Sequence, residues 1–328
     1  MKKFLLFLFS IALLLSAGAW FWVQQPILAQ GEAPIEFTII GGSGVYGAAL
    51  QIADAGVPIN PLLLTVILRA SGEAAKIKAG SYTLKPGVTP LRLLRQLVRG
   101  EFTQQALTVI EGWTFRQMRQ AIAAHPGLKH DSAALSDAEL MTKLAPDGTA
   151  PIPEGLFFPD TYLFAKGASD FQVYRQAFAL MNKRLAEAWT RRDTSLPYRS
   201  PYEVLTMASI VEKETGRRSE RGLVAGVFTN RLKMNMPLQT DPTVIYGMGD
   251  RYHGTIYKSD LQNDTLYNTY TRRGLPPTPI ALPGAASLAA AVNPDKTDAL
   301  YFVARGDGTS HFSDNLNEHN QAVNRYQR

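Results

Sequence analysis

Twenty uncharged residues, Phe4 to Val23, open the chain directly behind Lys2 and Lys3. As a helix rising about 1.5 Å per residue, such a run crosses a hydrocarbon layer of about 30 Å. Trp20 and Trp22 suit the far interface, and the two lysines suit the cytoplasmic side. Ala17-Gly18-Ala19 is an A-x-A site, so a cleaved signal peptide competes with this reading. The apolar run continues for another turn past that site, which favours an uncleaved anchor. Either way, the rest of the chain is exported.

Export changes what the composition means. The 328 residues predict roughly two domains. With 45% hydrophobic and 19% charged residues, the chain is an ordinary globular protein rather than a disordered segment or a polytopic channel. It has no cysteine, which excludes disulfides, thiol catalysis and cysteine-bound zinc. The net charge is +6. Lys2 and Lys3 precede the apolar run, so 32 of the 34 basic residues face 28 acids outside it, about +4. Basicity favours anionic partners such as nucleic acid, phospholipid or an anionic wall polymer without choosing among them, and export weighs against nucleic acid.

The chain divides by pattern into a tip and anchor over 1–25, a linker over 26–34, a small unit over 35–103 and a larger one over 104–328. In the small unit, strand candidates at Ile35–Ile40 and Lys78–Leu84 bracket helices at Tyr46–Ala55 and Asn60–Ala70. A further helix opens at Thr89-Pro90 and ends at Gly100. In the larger unit, Gln105–Ile110 reads as a strand, and Thr114 to Gln117 is a capping box opening a helix. Phe171–Thr190 has helical periodicity. Leu300–Ala304 and Ser310–Ser313 flank Gly306-Asp-Gly308 as a hairpin, and a helix over Leu316–Tyr326 follows. Helices and strands in irregular order predict an α+β fold.

Several chemistries fall away. Gly42-Ser-Gly44-Val-Tyr-Gly47 matches a dinucleotide fingerprint, but Ile67, Leu68 and Arg69 stand where its acidic residue belongs. None of the five histidines forms a metal-ligand pair, and there is no G-x-S-x-G nucleophile elbow. No cofactor or metal is expected.

The segment Ser200 to Gly216 carries more. Ser200 caps a helix, Pro201 lies in its first turn, and Val204, Leu205, Met207, Ala208, Ile210 and Val211 give it an apolar body. Two carboxylates, Glu212 and Glu214, come at its end. At about 100° per residue they point roughly 200° apart, each flanking the apolar stripe. A carboxyl at the edge of a buried helix holds its proton to higher pH, as a general acid toward a glycosidic oxygen must. Periodicity does not choose between the two. Gln239, Thr240, Asp241, Tyr246, Tyr267, Asn268 and Tyr270 lie in turn-rich segments and suit sugar hydroxyls and ring faces, although Asp241-Pro242 also reads as a plain helix start. Phe157, Phe158 and Tyr162 read as core.

Ala208-Ser-Ile-Val-Glu-Lys-Glu-Thr215, Ser219-Glu-Arg221, Val227-Phe-Thr-Asn-Arg-Leu232 and Leu238-Gln-Thr-Asp-Pro-Thr-Val-Ile-Tyr-Gly247 resemble the endolytic murein transglycosylases called MltG or YceG-like. So do Tyr267-Asn-Thr-Tyr270, Gly274-Leu-Pro-Pro277, Ile280-Ala-Leu-Pro-Gly284, Leu300-Tyr-Phe-Val303, and Glu154-Gly155 with Phe158-Pro-Asp-Thr-Tyr162. The resemblance implies a single-pass inner-membrane anchor, a LysM-like unit and a catalytic domain in the periplasm that cuts peptidoglycan glycan strands internally. It also implies peptidoglycan synthases as partners. The catalytic glutamate falls on Glu214, with Glu220 and Glu212 as supporting candidates. One carboxylate suffices if the muramyl C6 hydroxyl is the nucleophile, whereas a hydrolytic muramidase needs a partner about 5 to 9.5 Å away. The alternatives are that muramidase or a non-catalytic wall-binding scaffold.

Overall fold

The structure, a computed structural model, describes residues 2–146, 148, 152–214 and 217–327. The chain forms two compact units. The first takes residues 1–105 with 127–129 and 163–168, and the second takes the remainder.

In the first unit, α1 (Lys2–Gln24) leads to β1 (Ile35–Ile39), α2 (Val45–Asp54), α3 (Pro61–Ala70), β2 (Gly80–Leu84) and α4 (Pro90–Arg99). β1 and β2 pair antiparallel, with Ile35 opposite Leu84 and Ile39 opposite Gly80. Their inward faces, with Ile52, Leu64, Leu68 and Leu93, close one apolar core in which Phe37 stacks on Tyr82 at 5.5 Å. The ends of α4 follow the sequence signals. Thr89 accepts from the Arg92 amide, Pro90 sits in the first turn, and Gly100 takes the left-handed conformation at φ 72°. Among the described residues no helix is long and apolar enough to cross a membrane. The side chains of several α1 residues, Lys2 and Lys3 among them, lie outside the described set, and α1 itself is one continuous helix of 23 residues.

β3 (Gln104–Thr108) runs from the first unit into the second, and of the segments that follow only residues 127–129 and 163–168 belong to the first. There follow α5 (Phe115–Ala124), β4 (Leu128–Lys129), α6 (Asp137–Leu144), β5 (Thr161–Ala165), β6 (Ala168–Ser169) and α7 (Asp170–Arg191). Then come α8 (Pro201–Glu214), α9 (Arg221–Lys233), α10 (Asp241–Met248), α11 (Lys258–Gln262) and α12 (Ala285–Val292). β7 (Tyr301–Ala304) and β8 (Ser310–Ser313) form the expected hairpin, and α13 (Leu316–Tyr326) ends the described chain. The architecture is α+β, as the irregular order of elements predicts.

α8 is the central element of this unit. Every residue from Val204 to Val211 is buried, because α7, α9, α10 and α12 pack around it. Ser200 Oγ accepts from the Glu203 amide at 3.3 Å, and the Glu203 carboxylate accepts from the Arg199 amide at 2.6 Å. Ser209 is fully buried, and both its hydrogen-bonding roles are met. Its hydroxyl donates to the Thr206 carbonyl at 2.7 Å and accepts from the Ile280 amide at 3.0 Å. Phe157, Phe158 and Tyr162 are core, with Phe157 stacked on Phe115 at 5.1 Å.

Candidate active site

The last turn of α8 sends its two carboxylates to different fates. Glu212 pairs with Arg221 at 2.9 Å, and the two side chains are only 5% and 8% exposed. Its second oxygen accepts from the Gly284 amide at 2.9 Å, at the residue that precedes α12. Glu212 is therefore neither solvated nor open to a ligand. It ties α8 to the start of α9 and to the head of α12.

Glu214 has no such cation. Burial pushes its carboxyl from 4.5 up to about 7, helped by the Asp241 charge and opposed by the Thr240 hydrogen bond and the Arg231 charge. The Thr240 hydroxyl donates to Oε1. Thr240 precedes α10 at the N-cap position, yet it makes no cap with its side chain. Glu214 takes that donor instead. Thr215, the partner residue of the Glu-Thr pair, lies outside the described residues.

Arg231 shapes the loop that carries these groups. Its guanidinium donates to the carbonyls of Leu300 at 2.6 Å, Leu238 at 2.9 Å and Pro237 at 3.2 Å, and to Gln239 Oε1 at 3.3 Å. It also lies over the Tyr301 ring at 4.9 Å. Gln239 adopts φ 52°, a left-handed conformation that a non-glycine residue holds only where its surroundings impose it. Tyr270 donates to Asp241 Oδ1 at 2.5 Å. Glu214, Gln239, Asp241 and Tyr270, with Tyr301 of β7 and His319 of α13, line a cleft of about 630 Å³.

The other residues singled out in the sequence stand elsewhere. Glu220 accepts from the Ser310 amide at 3.1 Å and so holds the start of β8. Asn268 is 1% exposed, donates to the carbonyls of Asp260, Leu261 and Asn263, and accepts from the Tyr270 amide at 2.9 Å. Its role is to fix the turn that presents Tyr270. Tyr267 shares a hydrogen bond with Thr278 at 2.8 Å and packs on Tyr246 at 4.9 Å. Tyr246 lines a second cleft, of about 580 Å³, and donates to Glu154 Oε2 at 3.1 Å.

Glu154 is a buried carboxyl that periodicity could not single out. It is 5% exposed and accepts from the Phe115 amide at 3.0 Å, and desolvation pushes it up to about 7. The one sequence signal was the Glu154-Gly155 pair. Gly155 has φ 80°, and a Cβ there would lie 2.5 Å from Pro279. Gly155→Ala is therefore expected to cost about 1 to 3 kcal/mol through strain and overpacking, read as a lower midpoint in urea unfolding.

An α+β unit with a raised carboxyl at the end of a buried helix, opening on a polar and aromatic cleft, is the setting in which the comparisons with known proteins fall. The sequence model of the YceG-like family matches residues 37–325, and the chain belongs to that family. It is 33% identical over 333 residues to a Bacillus subtilis (strain 168) protein named endolytic murein transglycosylase, covering 95% of this chain and 91% of that one. A Streptococcus pneumoniae (serotype 2, strain D39) protein of the same name is 28% identical over 360 residues, and this chain spans 65% of its length. A solved yceG-like protein of Listeria monocytogenes superposes with a TM-score of 0.56 at 29% identity, over 88% of this chain and 98% of that one.

Proposed function

We propose that the chain is an endolytic peptidoglycan lytic transglycosylase with Glu214 as its single general acid and base. The observation that carries this reading is the Glu214 carboxyl, held to about 7 by burial at the wall of an open cleft. The relatives named endolytic murein transglycosylase support it. Protonated Glu214 donates to the oxygen joining N-acetylmuramic acid to N-acetylglucosamine. The C1–O bond breaks with both its electrons on that oxygen, which leaves as the free hydroxyl. The carboxylate then takes the proton of the muramyl C6 hydroxyl as its oxygen bonds to C1. The product is a 1,6-anhydro ring, Glu214 is protonated again, and no water is consumed. The Thr240 hydrogen bond orients the carboxyl through both steps.

One observation favours a second reading. Asp241 lines the same cleft and would be the second carboxylate that a hydrolytic muramidase needs. Mass spectrometry of digested sacculi separates the two, because anhydro-muropeptides support the transglycosylase and new reducing ends the muramidase. Unchanged glycans would leave a wall-binding scaffold. The acid must be protonated to begin, so kcat/KM should be level below about pH 7 and fall about tenfold per unit above it. A rate that rises through pH 7 to 8 would contradict Glu214 as the acid.

Three further parts of the reading rest on the sequence. α1 serves as a single-pass inner-membrane anchor with the catalytic unit in the periplasm. Its support is the uncharged run, its length of about 34 Å, and the exposure of Phe7, Phe9, Leu13, Leu14, Trp20 and Phe21. The small unit over 35–103 is the LysM-like module, supported by the apolar core that β1, β2 and helices α2 to α4 close together. Peptidoglycan synthases are proposed partners on the family resemblance alone.

A further inference from the structure

The second cleft takes no part in the chemistry above. It is lined by Phe115, Ile152, Glu154, Lys213, Tyr246 and Tyr252, with the Arg116–Asp250 ion pair and Asp137 at its edge. Two elements place it beside the first. On α8, Glu214 lines the first cleft and its neighbour Lys213 lines the second. On α10, Asp241 lines the first and Tyr246 the second, five residues or about 7.5 Å along the helix. The end of α8 and the body of α10 are thus a shared wall with a cleft at each side.

The chemistry of the second cleft selects among ligands. Ile152 is 47% exposed, and the rings of Tyr246 and Tyr252 are half-buried, so apolar surface is on offer. Tyr246 is held rigid, with its hydroxyl on Glu154 and its ring against Tyr267. The exposed Lys213 ammonium adds a polar group beside these faces, while the buried Glu154 carboxyl is taken up by Phe115 and Tyr246 and serves to hold the Tyr246 ring in place. The cationic groups are offset by Asp137 and Asp250. An uncharged ligand with hydroxyls and apolar ring faces therefore fits better than an anionic stem peptide.

We infer that the second cleft is a distal subsite for the glycan strand, holding a sugar unit removed from the scissile bond while the strand crosses the shared edge of α8 and α10. This rests on the transglycosylase reading. A strand cut internally continues past the reacting bond, and the second cleft gives that continuation a surface. Binding energy gained there acts on long substrates alone.

The test uses the full-length protein, with Tyr252→Ala and, separately, Ile152→Asp. Kinetics of anhydro-product formation are measured on peptide-free strands of many disaccharides and on a single tetrasaccharide. On long strands KM should rise about tenfold, the loss of one aromatic or apolar contact, with kcat unchanged. Turnover of the tetrasaccharide should match the wild type, which also verifies that the variants are folded. Equal losses on both substrates, or no loss on either, would overturn the subsite. Failure of the transglycosylase reading looks different: the wild type itself would then give no anhydro product from either substrate.

Discussion

Glu214→Gln should lower anhydro-muropeptide release by about 10²- to 10⁴-fold, the range a positioned general acid supplies. Glutamine keeps the shape of the side chain and can still accept from the Thr240 hydroxyl. It cannot protonate the leaving oxygen or deprotonate the C6 hydroxyl. The same variant makes a stability prediction with a definite sign. In the folded protein this carboxyl holds its proton up to about pH 7, against 4.5 for an unperturbed group, so the folded state binds more protons between those values. The cost of the buried charge is absent below about pH 4.5, grows as pH rises, and is complete above about pH 7. Glu214→Gln removes that cost. It should melt no lower than the wild type, with a larger gain at pH 8 than at pH 5. An inactive variant that melts higher at pH 8 is the signature of a functional carboxyl held against stability. Full activity in Glu214→Gln would end the assignment.

The neighbouring carboxylate should behave in the opposite way. Glu212 and Arg221 are paired at 2.9 Å with both side chains nearly inaccessible. Arg221→Met leaves a buried carboxylate without its cation, and Glu212→Gln leaves a buried guanidinium without its anion. Each should cost about 3 to 5 kcal/mol in urea unfolding. The double replacement Glu212→Leu with Arg221→Met should recover much of that loss, because no lone charge remains and the pair is strongly coupled. Folded Glu212→Gln protein should still form anhydro product, since Glu212 is turned away toward Gly284 and Arg221. A cost under about 1 kcal/mol for both single variants would show that the pair behaves as an exposed one. Together the two experiments separate a carboxylate that works from one that holds the helix ends together, two residues apart on one turn.

The elements with local signals were legible. Thr89-Pro90 and Gly100 bound α4, the Thr114–Gln117 box opens α5, and the Gly306–Gly308 turn joins β7 to β8. Those signals depend on residues within a few positions of one another. α12 gave no signal, because Ala-Ala-Ser-Leu-Ala-Ala-Ala-Val is small and apolar on every side, and a helix packed all round has no amphipathic stripe. α9 was hidden for a related reason. It buries Arg221, Thr229 and Arg231 as well as apolar residues, so its inward face does not look apolar. Among the sugar-binding candidates, polarity in a turn-rich segment could not tell Asn268, which satisfies three carbonyls, from Asp241, which faces the cleft.

By itself, the sequence determined the α+β class of the chain, the buried body of α8 and the pair of carboxylates at its end. All of these follow from runs, caps and periodicities that act over short distances along the chain. The division of labour between Glu212 and Glu214 was decided by tertiary structure alone. Burial and charge partners are properties of what packs nearby. Arg221 meets Glu212 from the start of the next helix, Thr240 meets Glu214 from 26 residues on, and Tyr246 meets Glu154 across 92 residues. A carboxyl's proton affinity is set by those neighbours and by the water they exclude, and no local pattern encodes either.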